Sequence, residues 1–294
     1  MAPVKTQTWP FAVMLLALAA SARATAQQEA PSTGEAQGQN EEAGEAAPSD
    51  DAASLAKKLS NPVASLISVP FQGNEDIGIG PGGDGNKFTL NIQPVVPISI
   101  TKDANLIVRT IVPVIYQTDV RGNHQADFGL GDTVQSFFYS PKKPTSGGII
   151  WGAGPVFLYP TGTSKYTTGK KWGAGPTFVV LKAFGPTTVG LLANHIWSVT
   201  GSDSRPPVSS TFLQPFIAYT TKRATTFSLN SESTYNWKTK QWAVPVNVLV
   251  SQLVRVGKQP VSFGLGGRYY FATPDFGPHW GMRFVVTLLY PKKG

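Results

Sequence analysis

The most regular feature of the chain is an alternation of apolar and polar residues in its C-terminal part. From Thr226 to Trp237, from Trp242 to Ser251 and from Trp280 to Tyr290, large apolar or aromatic side chains recur at every second position, except at Ser231 and Ser233. A period of two is typical of β-strands that have one apolar face, in either a membrane barrel or a soluble sandwich. The pattern therefore predicts an all-β protein.

Twelve segments rich in Val, Ile, Thr and aromatic residues, each bounded by turn residues, follow one another from residue 66 onward. They span residues 66–79, 87–99, 105–117, 128–140, 149–160, 171–182, 187–198, 210–220, 224–237, 242–254, 260–271 and 280–290. A tilted membrane strand needs about 9 to 11 residues, whereas a soluble strand usually has about 5 to 6. The length of the segments and the aromatic residues at their ends favour a single antiparallel transmembrane β-barrel of about twelve strands.

The connections between these segments alternate in length. The odd-numbered connections are mostly the longer ones: residues 80–86, 118–127, 161–170, 199–209, 238–241 and 272–279. The even-numbered ones, such as residues 100–104, 183–186, 221–223 and 255–259, are mostly short, although residues 141–148 form a longer turn. Short inner turns, longer outer loops and an even strand count are typical of outer-membrane barrels. We therefore expect both termini to be periplasmic.

The pentapeptide W-G-A-G-P occurs twice, at Trp151 and at Trp172. A hairpin turn centred near residue 165 pairs Trp172 with Tyr159 and Trp151 with Val180, which places the two tryptophans at opposite rims of the barrel. Aromatic rings favour the headgroup level of a membrane. The predicted interface aromatics are Trp151, Tyr159, Trp172, Trp237, Trp242, Trp280 and Tyr290. In both copies the glycines face inward, where they leave room for bulky groups or allow bending.

Six of the prolines inside the predicted strands stand out, because a closed barrel offers no edge to excuse a missing backbone N–H. They are Pro94, Pro113, Pro155, Pro176, Pro215 and Pro245. β-Bulges accommodate some prolines, but the sequence alone does not explain so many.

The N-terminal region differs sharply from the rest of the chain. Residues 1–26 combine Lys5, the apolar run from Phe11 to Ala20 and the small-x-small triplet Ala24-Thr25-Ala26, and this combination predicts a cleaved signal peptide. Residues 27–59 form an acidic tether whose first part is too polar to order itself. A short helix from Asp51 to Ser60, capped by Asp51 and ended by Asn61-Pro62, is expected at its end. The barrel follows from residue 60 to residue 294.

Charge and composition exclude several kinds of protein. From Ser60 onward, 21 Lys or Arg face 10 Asp or Glu, so the barrel region carries a net charge of +11. A signal peptide argues against nucleic acid as the partner of these cations, and anionic headgroups or solutes fit better. Zero cysteines exclude disulfide and thiol chemistry. The expected partners are outer-membrane lipid and lipopolysaccharide, the barrel-assembly machinery and a small solute.

Several segments carry a resemblance to a known family. They are N-P-V-A-S-L-I-S-V-P-F-Q from Asn61, F-G-L-G-D-T-V-Q-S-F-F from Phe128, L-A-N-H-I-W-S from Leu192, T-F-L-Q-P-F from Thr211 and Q-P-V-S-F-G-L-G-G-R-Y-Y from Gln259. Over residues 59–290 the chain resembles a family of Gram-negative outer-membrane barrel transporters, itself similar to the barrel proteins of phenol-degradation (MetA-pathway) loci. The resemblance implies the fold, the location and transport of small solutes, aromatic ones included. Such barrels commonly end on an aromatic residue, whereas here Pro291 to Gly294 follow Tyr290.

The residues give little support for an enzyme. The three histidines are His124, His195 and His279, and strand neighbours such as Asn194 and His195 point to opposite faces. No G-x-S-x-G, H-E-x-x-H or phosphate-binding loop is present. Asp132 is a single carboxylate and indicates no calcium site by itself. We therefore expect no enzymatic activity, no metal and no cofactor. A lipid-modifying barrel enzyme ranks behind a structural or adhesive barrel with a plugged lumen as an alternative to a passive channel.

Charged residues on the predicted inward face give the sharpest functional hypothesis. Turns centred after residues 239, 257 and 275 pair Glu232 with Asn247, Asn247 with Arg268, and Arg268 with Arg283. These four residues would form a row on the inner wall, and Asn230 and Arg109 are further lumen candidates. An arginine that faces lipid near the midplane costs about 2 to 4 kcal/mol, so the lumen is its expected place. The row predicts either a structural network or a preference for anionic or electron-rich aromatic solutes.

Overall fold

The structure is a computed structural model that describes residues 48–122 and 125–291 of the 294-residue chain. The predicted signal peptide and nearly all of the acidic part of the tether lie outside the described residues. The described part contains one helix, α1 (Pro48–Leu59), and fifteen strand segments. The segments are β1 (Ile67–Ile79), β2 (Gly85–Ile92), β3 (Val95–Ser99), β4 (Ala104–Thr118), β5 (Ala126–Leu130), β6 (Thr133–Pro141), β7 (Ile149–Tyr159), β8 (Lys171–Phe184), β9 (Thr187–Gly201), β10 (Ser209–Thr220), β11 (Thr225–Ser231), β12 (Ser233–Asn236), β13 (Gln241–Val256), β14 (Gln259–Ala272) and β15 (Trp280–Tyr290).

The fifteen segments form twelve antiparallel barrel strands. The pairs β2/β3, β5/β6 and β11/β12 are each one strand with an interruption, because both members of a pair lie beside the same neighbour. The first and last strands close the sheet in a continuous register from Ile67 opposite Tyr290 to Ile77 opposite Trp280. The prediction of a closed, all-β, twelve-stranded antiparallel barrel is confirmed.

The connections define two ends of the barrel. Four short turns (residues 100–103, 185–186, 221–224 and 257–258) and the longer turn of residues 142–148 lie at the end where β1 begins and β15 ends, which we call the terminal end. The opposite end, the loop end, carries residues 80–84, 119–122, 125, 160–170, 202–208, 237–240 and 273–279. Among the residues that the structure describes, no helix is long and apolar enough to cross a membrane.

The six prolines named above all lie where the hydrogen-bonded ladder is already interrupted. Pro94 lies between β2 and β3, and Pro113 lies opposite the break between β5 and β6. Pro155 and Pro176 face each other across β7 and β8, and each lies in a gap of the paired residues on its other side. Pro215 and Pro245 flank the break between β11 and β12 from its two sides. A missing N–H costs no ladder bond at these positions.

The two faces of the wall differ as the alternation predicts. In both W-G-A-G-P copies the tryptophan and the proline are exposed, while Gly152 and Gly173 are buried. Large exposed apolar side chains recur around the outer face, with Leu265, Phe271 and Met282 each more than half exposed. An outward apolar belt of this kind is what a lipid-facing barrel requires.

The helix α1 packs against the barrel at its terminal end, and it begins at Pro48 rather than at the expected Asp51. Leu55 and Ala56 join a buried apolar cluster with Leu66, Ala224, Leu253 and Leu289. Farther along, Val63 packs with Ile107, Phe138, Val179, Leu181 and Leu192 inside the wall. The helix ends at Leu59, before Asn61-Pro62, as predicted. The last part of the predicted tether is therefore bound to the barrel by apolar burial.

Candidate functional site

Charged and amide side chains meet in the middle of the barrel interior, in a group that we call the central layer. Its charged members are Asp76, Lys87, Arg109, Glu232, Arg268 and Arg283, and its amides are Asn74, Asn230 and Asn247. They project inward from seven of the twelve barrel strands. All six lumen candidates from the sequence therefore belong to this layer.

The strongest contact of the layer joins Arg283 on β15 to Glu232 in the break between β11 and β12. Two parallel hydrogen bonds run from the Arg283 guanidinium to the Glu232 carboxylate, at 2.9 and 2.6 Å. The Nε of Arg283 donates to Asn74 Oδ1 at 2.7 Å. A planar guanidinium fits a carboxylate in this bidentate way. Because the partners lie three strands apart, the pair ties together distant parts of the wall.

A second contact joins Arg268 on β14 to Asp76 on β1. Arg268 Nη1 lies 3.3 Å from Asp76 Oδ1, which also accepts a hydrogen bond from the Tyr270 hydroxyl at 2.9 Å. The buried Nε of Arg268 has no hydrogen-bond partner within the described chain. Lys87 faces inward on β2, directly opposite Asp76 in the register, but forms no direct ion pair with the described residues.

Arg109 differs from the other two arginines because its hydrogen-bond partner is neutral. Its Nη2 donates to Gln93 Oε1 at 2.8 Å. Gln93 is buried and lies in the break between β2 and β3, so the interruption of the strand places the amide that holds the guanidinium. Glu232 is the carboxylate whose charge acts on Arg109, from beyond ion-pair distance. The cationic head of Arg109 therefore remains without a direct counter-ion in the described structure.

The predicted row of four residues is partly wrong. Asn247 lies opposite Arg268, as predicted. However, Asn247 faces Asn230 instead of Glu232, and Arg283 faces Gly266 instead of Arg268. Both errors are shifts of two residues, because the turns are centred one residue earlier than expected. In the first turn, Asn236 Oδ1 accepts the backbone N–H groups of Lys238 and Thr239, which ends the strand early.

Two cavities lie on either side of the central layer. The inner cavity, of about 270 Å³, is lined toward the terminal end by α1 and residues 60–66, and toward the layer by Arg109, Glu232 and Arg283. The outer cavity, of about 330 Å³, is lined by Asp76, Lys87 and other residues nearer the loop end. The cavities share no lining residue. The ion pairs of the central layer therefore lie between two cavities, each of which has room for a small solute.

Cationic side chains also gather in the loops. The guanidinium of Arg121 lies 3.5 Å from the ring centre of Tyr166, and the Lys165 ammonium lies 4.7 Å from it. The hydrogen bond with Lys165, together with the charges of Arg121 and Lys165, lowers the pKa of the exposed Tyr166 hydroxyl. Arg121 also pairs with Asp127 at 2.9 Å. This arrangement joins two loops at the loop end.

The predicted interface aromatics have the exposure expected of them, with one difference. Trp151, Trp172, Trp237, Trp242, Trp280 and Tyr290 are exposed on the outer face. Trp172 and Tyr159 lie edge to face at 5.6 Å, and Trp151 pairs with Val180, as predicted. Tyr159 is only half-buried, and its hydroxyl donates to Gln135 Oε1 at 3.1 Å. The depth of the seven aromatic residues in the membrane stays a prediction.

Asp132 and His195, which were considered as calcium and catalytic residues from the sequence, both form hydrogen bonds within the barrel. The Asp132 carboxylate accepts hydrogen bonds from Gly162 N at 3.1 Å, Thr168 Oγ1 at 2.5 Å and Gly169 N at 2.7 Å, so it anchors the long loop. His195 faces outward from β9, and its Nδ1 lies 2.7 Å from Thr211 Oγ1. His124 lies outside the described residues. The described part contains no cluster of three metal-ligating side chains.

Asp76, Lys87, Asn74, Tyr270 and Gln93 were missed in the sequence. The first three lie on strands whose alternation is masked by glycine and small polar residues. The sequence could have shown that Asn74 and Asp76 share a face of the strand, because they are two residues apart in Q-G-N-E-D. Gln93 left no such signal, because its role depends on the strand break.

The fold is similar to that of an outer-membrane channel from Pseudomonas putida F1, with a TM-score of 0.60 and 14% identity over 76% of this chain and 94% of that one. Outer membrane phospholipase A from Escherichia coli is a weaker match, with a TM-score of 0.45 and 10% identity over 81% of this chain and 98% of that one. No protein-family model and no curated protein matches the sequence. At 14% identity the likeness to the channel establishes the fold alone. A closed barrel with an apolar outer belt supports an outer-membrane location.

Proposed function

We propose that the protein is an outer-membrane channel that passes small solutes passively and favours anions. The observation that carries the proposal is the charge of the central layer. Four cationic side chains, Lys87, Arg109, Arg268 and Arg283, face two carboxylates, Asp76 and Glu232, so the layer carries an excess of two positive charges. Rings of charged side chains at a constriction select ions by sign.

The surplus positive charge belongs to Arg109 and Lys87. The other two cations are paired directly with the two carboxylates. Arg109 lines the inner cavity and Lys87 lines the outer cavity, so one uncompensated cation faces each space. An anion that crosses the layer would meet these two groups in succession. Its passage requires the side chains between the cavities to move.

The class of solute follows from the size of the cavities and from the family resemblance. A volume near 300 Å³ lies at the lower limit of typical small-molecule sites, about 300 to 1,000 Å³. Phe216 and Val285 add apolar wall to the inner cavity. These features favour solutes about the size of one ring, in agreement with the resemblance to phenol-degradation barrels. Anionic or electron-rich aromatic solutes remain the prediction.

Location and orientation are part of the proposal. The short turns and both ends of the sheet lie at one end, and the longer loops lie at the other. In outer-membrane barrels short turns are periplasmic. We therefore place both termini in the periplasm, with lipid and lipopolysaccharide around the wall and assembly by the general barrel machinery.

A structural or adhesive barrel with a filled lumen is the second candidate. The packing of Leu55, Ala56 and Val63 against inward side chains favours it, because these contacts fill the terminal end. Channel and structural barrel differ in one property, which is ion conduction. We propose no enzymatic activity.

Reversal potentials in a salt gradient test the proposal. Lys87→Gln and Arg109→Gln each remove one uncompensated charge, and each is expected to lower the ratio of anion to cation permeability by about two- to fivefold at low salt. Lys143→Gln, in an exposed turn at the terminal end, is the matched control and should leave the ratio unchanged. Unchanged ratios in both interior variants would contradict the assigned role of the central layer.

A further inference from the structure

A cluster of polar and aromatic side chains on the outer face of the wall belongs neither to the central layer nor to the proposed conduction path. It lies near the loop end on β9, on β10 and at the start of the turn that follows β12, and we call it the His195 cluster. Its members are His195, Trp197, Ser209, Thr211 and Trp237. Trp197 and Trp237 are about half exposed, with 50% and 53% of their surface accessible. The cluster therefore faces the same side as the apolar belt.

Hydrogen bonds within the cluster run in one direction. The Trp237 indole can only donate, and its Nε1 lies 2.8 Å from Thr211 Oγ1. The hydroxyl hydrogen of Thr211 is then free to be donated to His195 Nδ1, at 2.7 Å. With Nδ1 accepting, a neutral imidazole carries its proton on Nε2.

The two remaining polar groups, His195 Nε2–H and the Ser209 hydroxyl, can then both donate. His195 Nε2 lies 3.4 Å from Ser209 Oγ, which is too long for a strong hydrogen bond. The Nε2–H and the Ser209 hydroxyl therefore satisfy each other only weakly, and both lie on the outer face. Unsatisfied donors on a lipid-facing wall are costly unless a ligand or headgroup accepts from them.

Neighbouring groups add positive charge and a ring surface. Trp237 N donates to Ser209 O at 2.9 Å, so the turn that follows Trp237 lies directly beyond the cluster. That turn carries the exposed Lys238 and Lys240. The nearby Asp275 carboxylate accepts from Gln241 Nε2 at 2.7 Å. The Trp197 ring lies 4.1 Å from the imidazole and holds it in place.

We propose that the His195 cluster and the two lysines form a binding site for the phosphate of a lipid A headgroup. Imidazole N–H, hydroxyl and ammonium groups are phosphate donors, and indole rings favour the level of the headgroups. The site lies at the loop end, which the proposed orientation places in the outer leaflet. Channel activity is not needed for the site.

Binding of defined lipids to the purified full-length barrel, measured by native mass spectrometry from detergent, tests the proposal. Bisphosphorylated lipid A is expected to bind, and the dephosphorylated lipid is expected to bind at least tenfold more weakly, since a hydrogen bond to a charged group is worth about a factor of ten or more. Inorganic phosphate in excess should not displace the lipid. Equal binding of both lipids, or displacement by free phosphate, would overturn the proposal.

Variants assign the binding to the cluster. His195→Phe keeps a ring beside Trp197 but removes the donor, and Ser209→Ala tests the site if the histidine variant does not fold. Lys238→Gln with Lys240→Gln should weaken binding by about fivefold per lysine. The matched control is Lys142→Gln with Lys143→Gln in a turn at the terminal end, which should have no effect. Equal effects of the two lysine pairs, or none from any cluster variant, would contradict the site. Release of fatty acid from the bound lipid would overturn the assigned proton on Nε2, because a catalytic base needs that nitrogen free.

Discussion

Replacing Arg283 by methionine should destabilise the barrel strongly, because it leaves the Glu232 carboxylate in the interior without its bidentate partner. Arg283 is 3% exposed, and the side chain of Glu232 is 19% exposed. Removing one partner of a buried ion pair costs about 3 to 5 kcal/mol, whereas replacing both by apolar groups is often neutral. Asn74 also loses the donor that lies 2.7 Å away. The expected loss for Arg283→Met is therefore about 3 to 5 kcal/mol.

A double-mutant cycle separates this effect from a general loss of packing. Urea unfolding of the refolded protein in lipid vesicles, followed by tryptophan fluorescence, gives the free energy of unfolding for Arg283→Met, Glu232→Met and the double variant. The double variant should recover most of the loss, with a coupling energy of about 3 kcal/mol. Arg223→Met, at an exposed turn residue, is the matched control and should change stability by less than about 0.5 kcal/mol. Additive losses in the cycle would refute the reasoning.

This result also bears on selectivity experiments. The sequence alone placed Arg268 and Arg283 in a row that could set a preference for anionic solutes. The observed ion pairs make these two arginines poor probes of selectivity. Removing them would leave the interior carboxylates of Asp76 and Glu232 without their cationic partners. Lys87 and Arg109 are better probes, since neither is paired with a described carboxylate within ion-pair distance.

Three further predictions concern the wall and the N-terminal segment. Gly175→Val should block assembly, because a side chain at this position would collide with the His195 carbonyl, and the shift in gel mobility on heating should be lost. The control Gly267→Ala, with open space around it, should assemble normally. Leu55→Asp should release α1 and raise its cleavage by added protease, because Leu55 is buried, whereas Ser54→Asp at an exposed position should not; equal cleavage would contradict the packing of α1. Deleting residues 27–47 while keeping the signal peptide should leave assembly intact, because that composition offers no packing face; failure of the truncated chain to assemble would show that the tether contributes.

The architecture could be predicted from the sequence because a barrel depends on local and repetitive signals. Strand length, a period of two and turn residues identify each strand by itself, and the hairpin of Trp151 and Trp172 had the predicted register. The interior was harder to predict. When the centre of a turn moves by one residue, every residue of the hairpin faces a partner two positions away from the expected one. Glu232 and Arg283 were given the wrong partners for this reason.

Strand interruptions explain most of what the sequence did not reveal. The prolines looked anomalous inside continuous strands, but they mark positions where the ladder is broken. Gln93 and Glu232 lie in two of these breaks, and both hold arginines of the central layer. Gln93 reaches Arg109 on the neighbouring strand only because of the break, and Glu232 reaches Arg283 across the interior from three strands away. No local pattern contains that information.

Single-channel recording of the unmodified full-length protein in planar bilayers tests the proposed function most directly. In a salt gradient we expect discrete conductance steps with a reversal potential of the sign that indicates anion preference, because the central layer carries two surplus positive charges. A barrel that is shown to be folded by its gel mobility but gives no conductance steps, or one with clear cation preference, would contradict the proposal.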